Sequence, residues 1–208
     1  MTKFKAVCFD YFGVIADDNV PHFAQTLSEH FHLPYEQIYA IYAPYNQAVN
    51  RDEITYEECW INVLHDLGRD DFIADAMDLL ALDLEKLQVI PEMIELVKRL
   101  KKEQFKIGLL SNNSSQESVR MRDQGLYDCF DVILISGEIG FSKPDPAAFN
   151  LLAERLGVQT NEMIFVDDTE RSLSTAEEVG FTPILFKNHD QVVKELEKLG
   201  VLSEKFAK

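Results

Sequence analysis

The chain has 208 residues, 46% of them hydrophobic and 27% charged, a composition that suits one sizeable folded core and excludes a disordered or fibrous chain. A formal net charge of −16 and a pI near 4.6 argue against nonspecific nucleic-acid binding, which needs a basic surface. The same charge opposes anionic ligands at long range, so a site for one must carry its own local positive groups.

The first element is a short apolar run, Ala6–Phe9, that ends on Asp10. It is too short for a signal peptide or a membrane span. The three cysteines, Cys8, Cys59 and Cys129, are far apart and form no C-x-x-C pair. They read as packed hydrophobes, and a reduced, cytoplasmic setting with no membrane partner is expected.

From about Asp17 to Val89 the pattern is helical throughout: Val20–Phe31, Tyr35–Asn46, Thr55–Leu67 and Asp70–Leu82, with a T-x-x-E capping box at Thr55 to Glu58. Beyond it, apolar runs too short for helices alternate with helical patterns. The runs are Lys106–Leu110, Val132–Ile135, Met163–Val166 and Thr182–Phe186. The helices expected between and after them are Pro91–Lys102, Pro146–Leu156, Ser172–Val179 and Asp190–Leu199, and the tail after Gly200 is expected to be loosely held. Such alternation predicts an α/β fold, a doubly wound and mainly parallel sheet with right-handed crossovers. The expected division is a core of residues 1–15 and 89–208 and an inserted helical cap of residues 16–88, placed as a lid that excludes water.

Four polar clusters follow four of the strands: Asp10, then Ser111-Asn112-Asn113-Ser114, then Lys143 in Gly140-Phe141-Ser142-Lys143-Pro144-Asp145, then Asp167-Asp168. In a parallel sheet these ends converge on one edge, where open α/β sheets bind ligands. A carboxylate nucleophile, a hydroxyl, one lysine and an acidic pair suit metal-assisted attack on a phosphoryl group, with Mg2+ held by the carboxylates. The five histidines show no metal-ligand spacing. Tyr39, Tyr42, Tyr45 and Trp60 read as cap core and as the best candidates to touch a substrate body.

These four ordered motifs resemble those of the haloacid dehalogenase-like hydrolase superfamily, phosphatase-type members with a helical cap. The resemblance implies that Asp10 is the nucleophile and forms an aspartyl-phosphate. Ser111 would bind the phosphoryl group with Asn112 beside it, and Lys143 would bridge that group and Asp10. Asp10, Asp168, the nearby Asp167 and the backbone carbonyl of Phe12 would hold Mg2+. The implied partner is a small phosphorylated metabolite.

Two positions depart from the phosphatase pattern. Phe12 stands where such enzymes usually carry an Asp that protonates the leaving group, a contribution of about 10²–10⁴-fold. A sugar phosphate that leaves through its anomeric oxygen needs that acid less. Ser172 stands where an Asn often follows the acidic pair. Two rival expectations follow from Phe12: a phosphate-ester-binding relative with little or no turnover, and a 2-haloacid dehalogenase. The retained Asp167-Asp168 pair argues against the dehalogenase.

Overall fold

The computed structural model describes residues 2–16, 19–84 and 88–203. Five strands form its sheet: β1 (Ala6–Phe9), β2 (Lys106–Ser111), β3 (Val132–Ile135), β4 (Met163–Asp167) and β5 (Thr182–Leu185). They lie in the order β3-β2-β1-β4-β5, and every neighbouring pair is parallel. Strands buried on both faces need apolar side chains at every position, which is why they read as unbroken apolar runs. Val7 and Phe9 of β1 pack into one hydrophobic cluster with Ile164 and Val166 of β4. Ala6 and Cys8 point to the other cluster with Met163 and Phe165.

Helix α5 (Pro91–Lys102) and helix α10 (His189–Lys198) cover the first face, and α8 (Pro146–Leu156) covers the second. The arrangement is a doubly wound α/β fold, as the alternation predicted. The chain end is tied down further than expected, because Val201 and Leu202 are buried in the first cluster. The remainder of the expected loose tail, residues 204–208, lies outside the described residues.

Between β1 and α5 come four α-helices among the described residues: α1 (Asn19–Phe31), α2 (Tyr35–Val49), α3 (Tyr56–Asp66) and α4 (Ile73–Leu84). They enclose a third cluster of their own, in which Phe23, Leu27, Ile38, Val63 and Leu64 surround Trp60. Tyr42 stacks on Trp60 with ring centroids 4.7 Å apart, and Phe23 meets it edge-on at 4.9 Å. Thr55 forms the expected capping box: its hydroxyl accepts from Glu58 N at 3.0 Å, and Glu58 accepts from Thr55 N at 2.8 Å. The chain enters and leaves this helical unit side by side. Ala16 bridges to Val89 in antiparallel fashion, and Ile90 N donates to Ile15 O at 2.7 Å. Of the expected cap span 16–88, residues 17, 18 and 85–87 lie outside the described residues.

Local differences from the sequence expectation have identifiable causes. Helix α2 runs on to Val49 through Pro44, three residues beyond the expected Asn46. Residues 70–72 form a separate 3-10 turn before α4. The helix expected from Ser172 is only α9 (Ala176–Val179). Ahead of it Leu173 N bonds Glu170 O and Ser174 N bonds Arg171 O, so tight turns replace the helix. Thr169, Ser172, Ser174 and Thr175 crowd this stretch, and such hydroxyls compete with helical backbone bonds. Two further helices, α6 (Ser115–Asp123) and α7 (Ser136–Ile139), have no clear apolar stripe to announce them. Among the described residues no helix is long and apolar enough to cross a membrane.

Candidate active site

The parallel register brings the strand ends to one edge. Asp10 follows β1 directly, and its N–H donates to Val166 O at 2.8 Å, extending the β1–β4 pairing by one residue. Ser111 closes β2 opposite Ile135, and Asp167 closes β4 opposite Leu185. Lys143 comes from the loop between α7 and α8. That loop is pinned by Asn112, whose carboxamide accepts from Lys143 N at 2.8 Å and donates to Lys143 O at 3.0 Å.

The pinning aims Lys143 inward. Its Nζ lies 2.7 Å from Asp10 Oδ2 and 2.6 Å from Asp167 Oδ2, with 1% of the lysine side chain and none of the Asp167 side chain exposed. The Phe165 ring backs the ammonium at 5.4 Å. Asp10 Oδ1 accepts from Tyr11 N at 2.7 Å. Asp167 Oδ1 accepts from Thr169 N at 2.9 Å and from the Thr169 hydroxyl at 2.7 Å. The Thr169 oxygen in turn lies 2.7 Å from Ser172 Oγ, so Ser172 acts in the loop that shapes Asp167.

The charges are strongly coupled. Burial pushes the Asp10 carboxyl up to about 7, with Lys143 opposing the rise and Asp167 adding to it. Asp167 is held below the usual carboxylate range: burial works against this, and Lys143 and the Thr169 donors outweigh it. Lys143 is raised, because the two carboxylates overcome the cost of its burial. One buried cation therefore serves two buried anions.

Oxygen atoms of Asp10, Asp167 and Asp168 all lie within 4.8 Å of one another. Oxygens around a six-coordinate Mg2+ sit about 3–4 Å apart, so this hard, all-oxygen donor set suits such an ion after small adjustments. The turn Tyr11 to Ala16 makes room for Asp168. Tyr11 O accepts from Ile15 N at 2.7 Å and Ala16 N at 2.9 Å, and Gly13 N donates to Ala16 O at 2.7 Å. Gly13 has φ +77°, and a Cβ there would stand 2.5 Å from Asp168 Oδ2. Only glycine serves at this position, both for the backbone and for the space.

Above this edge is a cavity of about 530 Å³, lined on the sheet side by Asp10, Phe12, Ser111, Asn112, Lys143 and Asp168. Each of these was a sequence candidate, and Asp167 lies buried behind them. Asn112 differs in one respect from the expectation of a phosphate-binding side chain: its carboxamide is committed to positioning Lys143. Of the aromatic candidates in the helical unit, Tyr39 and Tyr42 line the cavity. Trp60 is buried in the third cluster, and Tyr45 instead donates its hydroxyl to Asp66 at 2.8 Å.

The helical unit docks onto the same edge through contacts that the sequence did not disclose. Ser136 Oγ donates to Asn50 O at 2.7 Å and accepts from Asn113 N at 2.9 Å. Asp52, at φ +56°, accepts from Ser115 N at 2.8 Å, at the start of α6. Gly137 leaves space for it, since a Cβ there would stand 2.6 Å from Asp52 Oδ1. Thr169 was missed as a site residue, and the clamp of Asn112 on Lys143 was not foreseen. A Thr two places after an Asp is a recognisable turn signal, whereas the Asn112–Lys143 clamp spans 31 residues and leaves no local trace.

The fold and this edge place the chain in a known class. The family model for haloacid dehalogenase-like hydrolases matches residues 4–180, and the chain belongs to that family of enzymes. It is 30% identical to Phosphatase MT3486 of Mycobacterium tuberculosis over 208 aligned positions, 95% of this chain and 96% of the relative. Among solved structures it resembles a haloacid dehalogenase-family enzyme of Bacteroides thetaiotaomicron in complex with magnesium and inorganic phosphate. That match has a TM-score of 0.64 and 20% identity, over 88% of this chain and 94% of the other. It also resembles the L-2-haloacid dehalogenase of Xanthobacter autotrophicus, with a TM-score of 0.63 and 22% identity over 96% and 85% of the two chains. At these identities the two structures speak for the fold alone.

Proposed function

We propose that the protein is a cytoplasmic, Mg2+-dependent phosphomonoesterase of small phosphorylated metabolites. The observation that carries this reading is the juxtaposition of Asp10 with Lys143 and with two further carboxylates on one cavity edge. A haloacid dehalogenase has no use for a three-carboxylate cation site. The full-length likeness to a phosphatase points the same way.

In this reading residues 16–88 form a cap over the site. Asp10, Asp167, Asp168 and the Phe12 carbonyl hold Mg2+, which supplies charge neutralisation as two anions approach each other. Ser111 and Lys143 bind the phosphoryl oxygens, with Asn112 holding Lys143 in place. Asp10 attacks phosphorus, the ester P–O bond breaks, and the leaving oxygen takes a proton from water. Water then attacks the aspartyl-phosphate, releasing inorganic phosphate and restoring the Asp10 carboxylate.

The test is phosphate release from a panel of sugar and nucleotide monophosphates, with Mg2+ and with EDTA. Release that EDTA abolishes and Mg2+ restores supports the reading. Binding of esters without release would make the protein a phosphate-ester-binding relative, and halide release from 2-haloacids would make it a dehalogenase.

Two substitutions probe particular parts of the site. Gly13→Ala forces a strained backbone and a clash with Asp168. It is expected to raise the Mg2+ concentration needed for half-maximal rate by about tenfold, equivalent to about 1.4 kcal/mol of lost binding. An unchanged Mg2+ requirement would remove Asp168 from the cation site. Phe12→Asp places a carboxyl at a cavity-lining position. It is expected to raise kcat about tenfold or more on an alkyl phosphate, whose leaving oxygen needs a proton, and less on p-nitrophenyl phosphate. No gain on the alkyl ester would mean that another group already delivers the proton.

A further inference from the structure

The cavity wall opposite the carboxylates is built largely by one helix. Tyr39, Tyr42, Ala43, Asn46, Gln47 and Asn50 all line it. Their spacing is i, i+3, i+4, i+7, i+8 and i+11, which is a single face of α2 and its C-terminal cap. The face has a direction. Its Asn50 end is held at the sheet edge, because Ser136 Oγ donates to Asn50 O and accepts from Asn113 N, two residues beyond Ser111. Tyr39 lies eleven residues earlier, about 16 Å away along a helix. Moving outward from the reacting end, the wall therefore presents carboxamides first, with Val49 beside them, and aromatic rings after them.

The chemistry of the wall is equally specific. Among the described residues the carboxamides of Asn46, Gln47 and Asn50 have no hydrogen-bond partner, although each offers two donors and an acceptor oxygen. A hydroxyl, which both donates and accepts, satisfies such a group; an anion uses only its donors. The cations near the wall are occupied. Arg51 is bonded through two nitrogens to Glu53 at 2.7 and 2.9 Å, and Lys143 is taken by Asp10 and Asp167. Arg171 reaches the cavity from the loop after Asp168 rather than from this wall. Tyr39 offers an exposed ring, 45% accessible, which suits the apolar face of a sugar ring. The cavity's volume of about 530 Å³ is that of a small-molecule site.

We infer that Asn46, Gln47 and Asn50 on the pocket face of α2 are the specificity determinants for an uncharged, polyhydroxylated leaving group, so that the preferred substrates are sugar monophosphates. The inference rests on the phosphatase reading above and adds the residues that select among esters.

The experiment measures kcat and KM for hexose and pentose monophosphates, for AMP, and for p-nitrophenyl phosphate, which has no hydroxyls for the carboxamides to bind. It uses the wild type and the double variant Asn46→Ala/Gln47→Ala, with Gln47→Glu as a second variant that keeps the acceptor and adds a charge. The expected result is that a sugar monophosphate has the highest kcat/KM. In the double variant the ratio of its KM to that for p-nitrophenyl phosphate rises at least tenfold, with Gln47→Glu shifting it in the same direction. The inference is overturned if the ratio is unchanged, if both KM values rise equally, or if AMP is the better substrate and responds in the same way. Absence of any Mg2+-dependent hydrolysis of p-nitrophenyl phosphate by the wild type would instead overturn the phosphatase reading, and the specificity inference with it.

Discussion

Asp10→Asn is expected to reduce phosphate release by on the order of 10⁴-fold or more, the scale seen when a covalent nucleophile is removed. The variant should keep its fold. Asn preserves the side-chain shape, and its carbonyl oxygen can still accept from Tyr11 N, now at 2.7 Å from Asp10 Oδ1. Its amide nitrogen then faces the Lys143 ammonium as donor to donor, but Lys143 keeps Asp167 and one of two buried carboxylates competing for it is gone, so the net loss of stability should be small. A thermal unfolding midpoint close to that of the wild type, with phosphate release gone, is the combined outcome to look for. Turnover at a comparable rate would assign the nucleophile elsewhere.

Lys143→Met should fail differently, losing activity and stability together. The ammonium is the shared partner of Asp10 and Asp167, and its side chain is 1% exposed. Removing one partner of a buried ion pair typically costs about 3–5 kcal/mol, because the remaining charge is left uncompensated. For a chain of this size that is a fall in Tm of about 6–20 °C. The loss has a pH signature. Without the lysine, Asp10 has lost its main opposition to a carboxyl that burial already pushes up to about 7. The loss of the lysine's pairing with Asp167, which it holds below the usual carboxylate range, is already felt in mild acid. A group with a raised folded pKa is least costly when protonated, so the gap from wild type should widen further as pH rises through 7 and Asp10 ionises. Adding Asp167→Asn to Lys143→Met should recover part of the loss. A Lys143→Met protein as stable as the wild type at pH 8 would mean that the lysine carries no structural load.

The sheet was legible because each of its strands is apolar on both faces, and a run such as Ala6–Phe9 has no other stable use at that length. The same parallel topology made it legible that Asp10, Ser111 and Asp167-Asp168 would share an edge, since each directly ends or follows a strand. Lys143 was harder, because it sits on a loop between helices and only the clamp from Asn112 turns it inward. Helix α6 was missed because Val119 and Met121 are its only large apolar residues, and two such positions make no stripe. The docking of Asp52 on Ser115 N joins residues 63 apart through a positive-φ aspartate, and neither partner is unusual in its own neighbourhood. Contacts of this kind arise from tertiary approach, which local pattern does not record.

The two faces of α2 have a consequence for how the molecule can change. Ile38 belongs to the third hydrophobic cluster, whereas Tyr39, Ala43, Asn46 and Gln47 face the cavity, and Tyr42 and Val49 serve both. Substitution at Tyr39, Ala43, Asn46 or Gln47 therefore leaves the cluster around Trp60 untouched and stays clear of the sheet edge that holds Asp10 and Lys143. Exposed polar positions of this sort usually tolerate change within about 0.5 kcal/mol. The helix is thus an adjustable template on a fixed chemical base, a place where drift or deliberate mutagenesis can retune which compound fits while the bond-breaking apparatus stays the same.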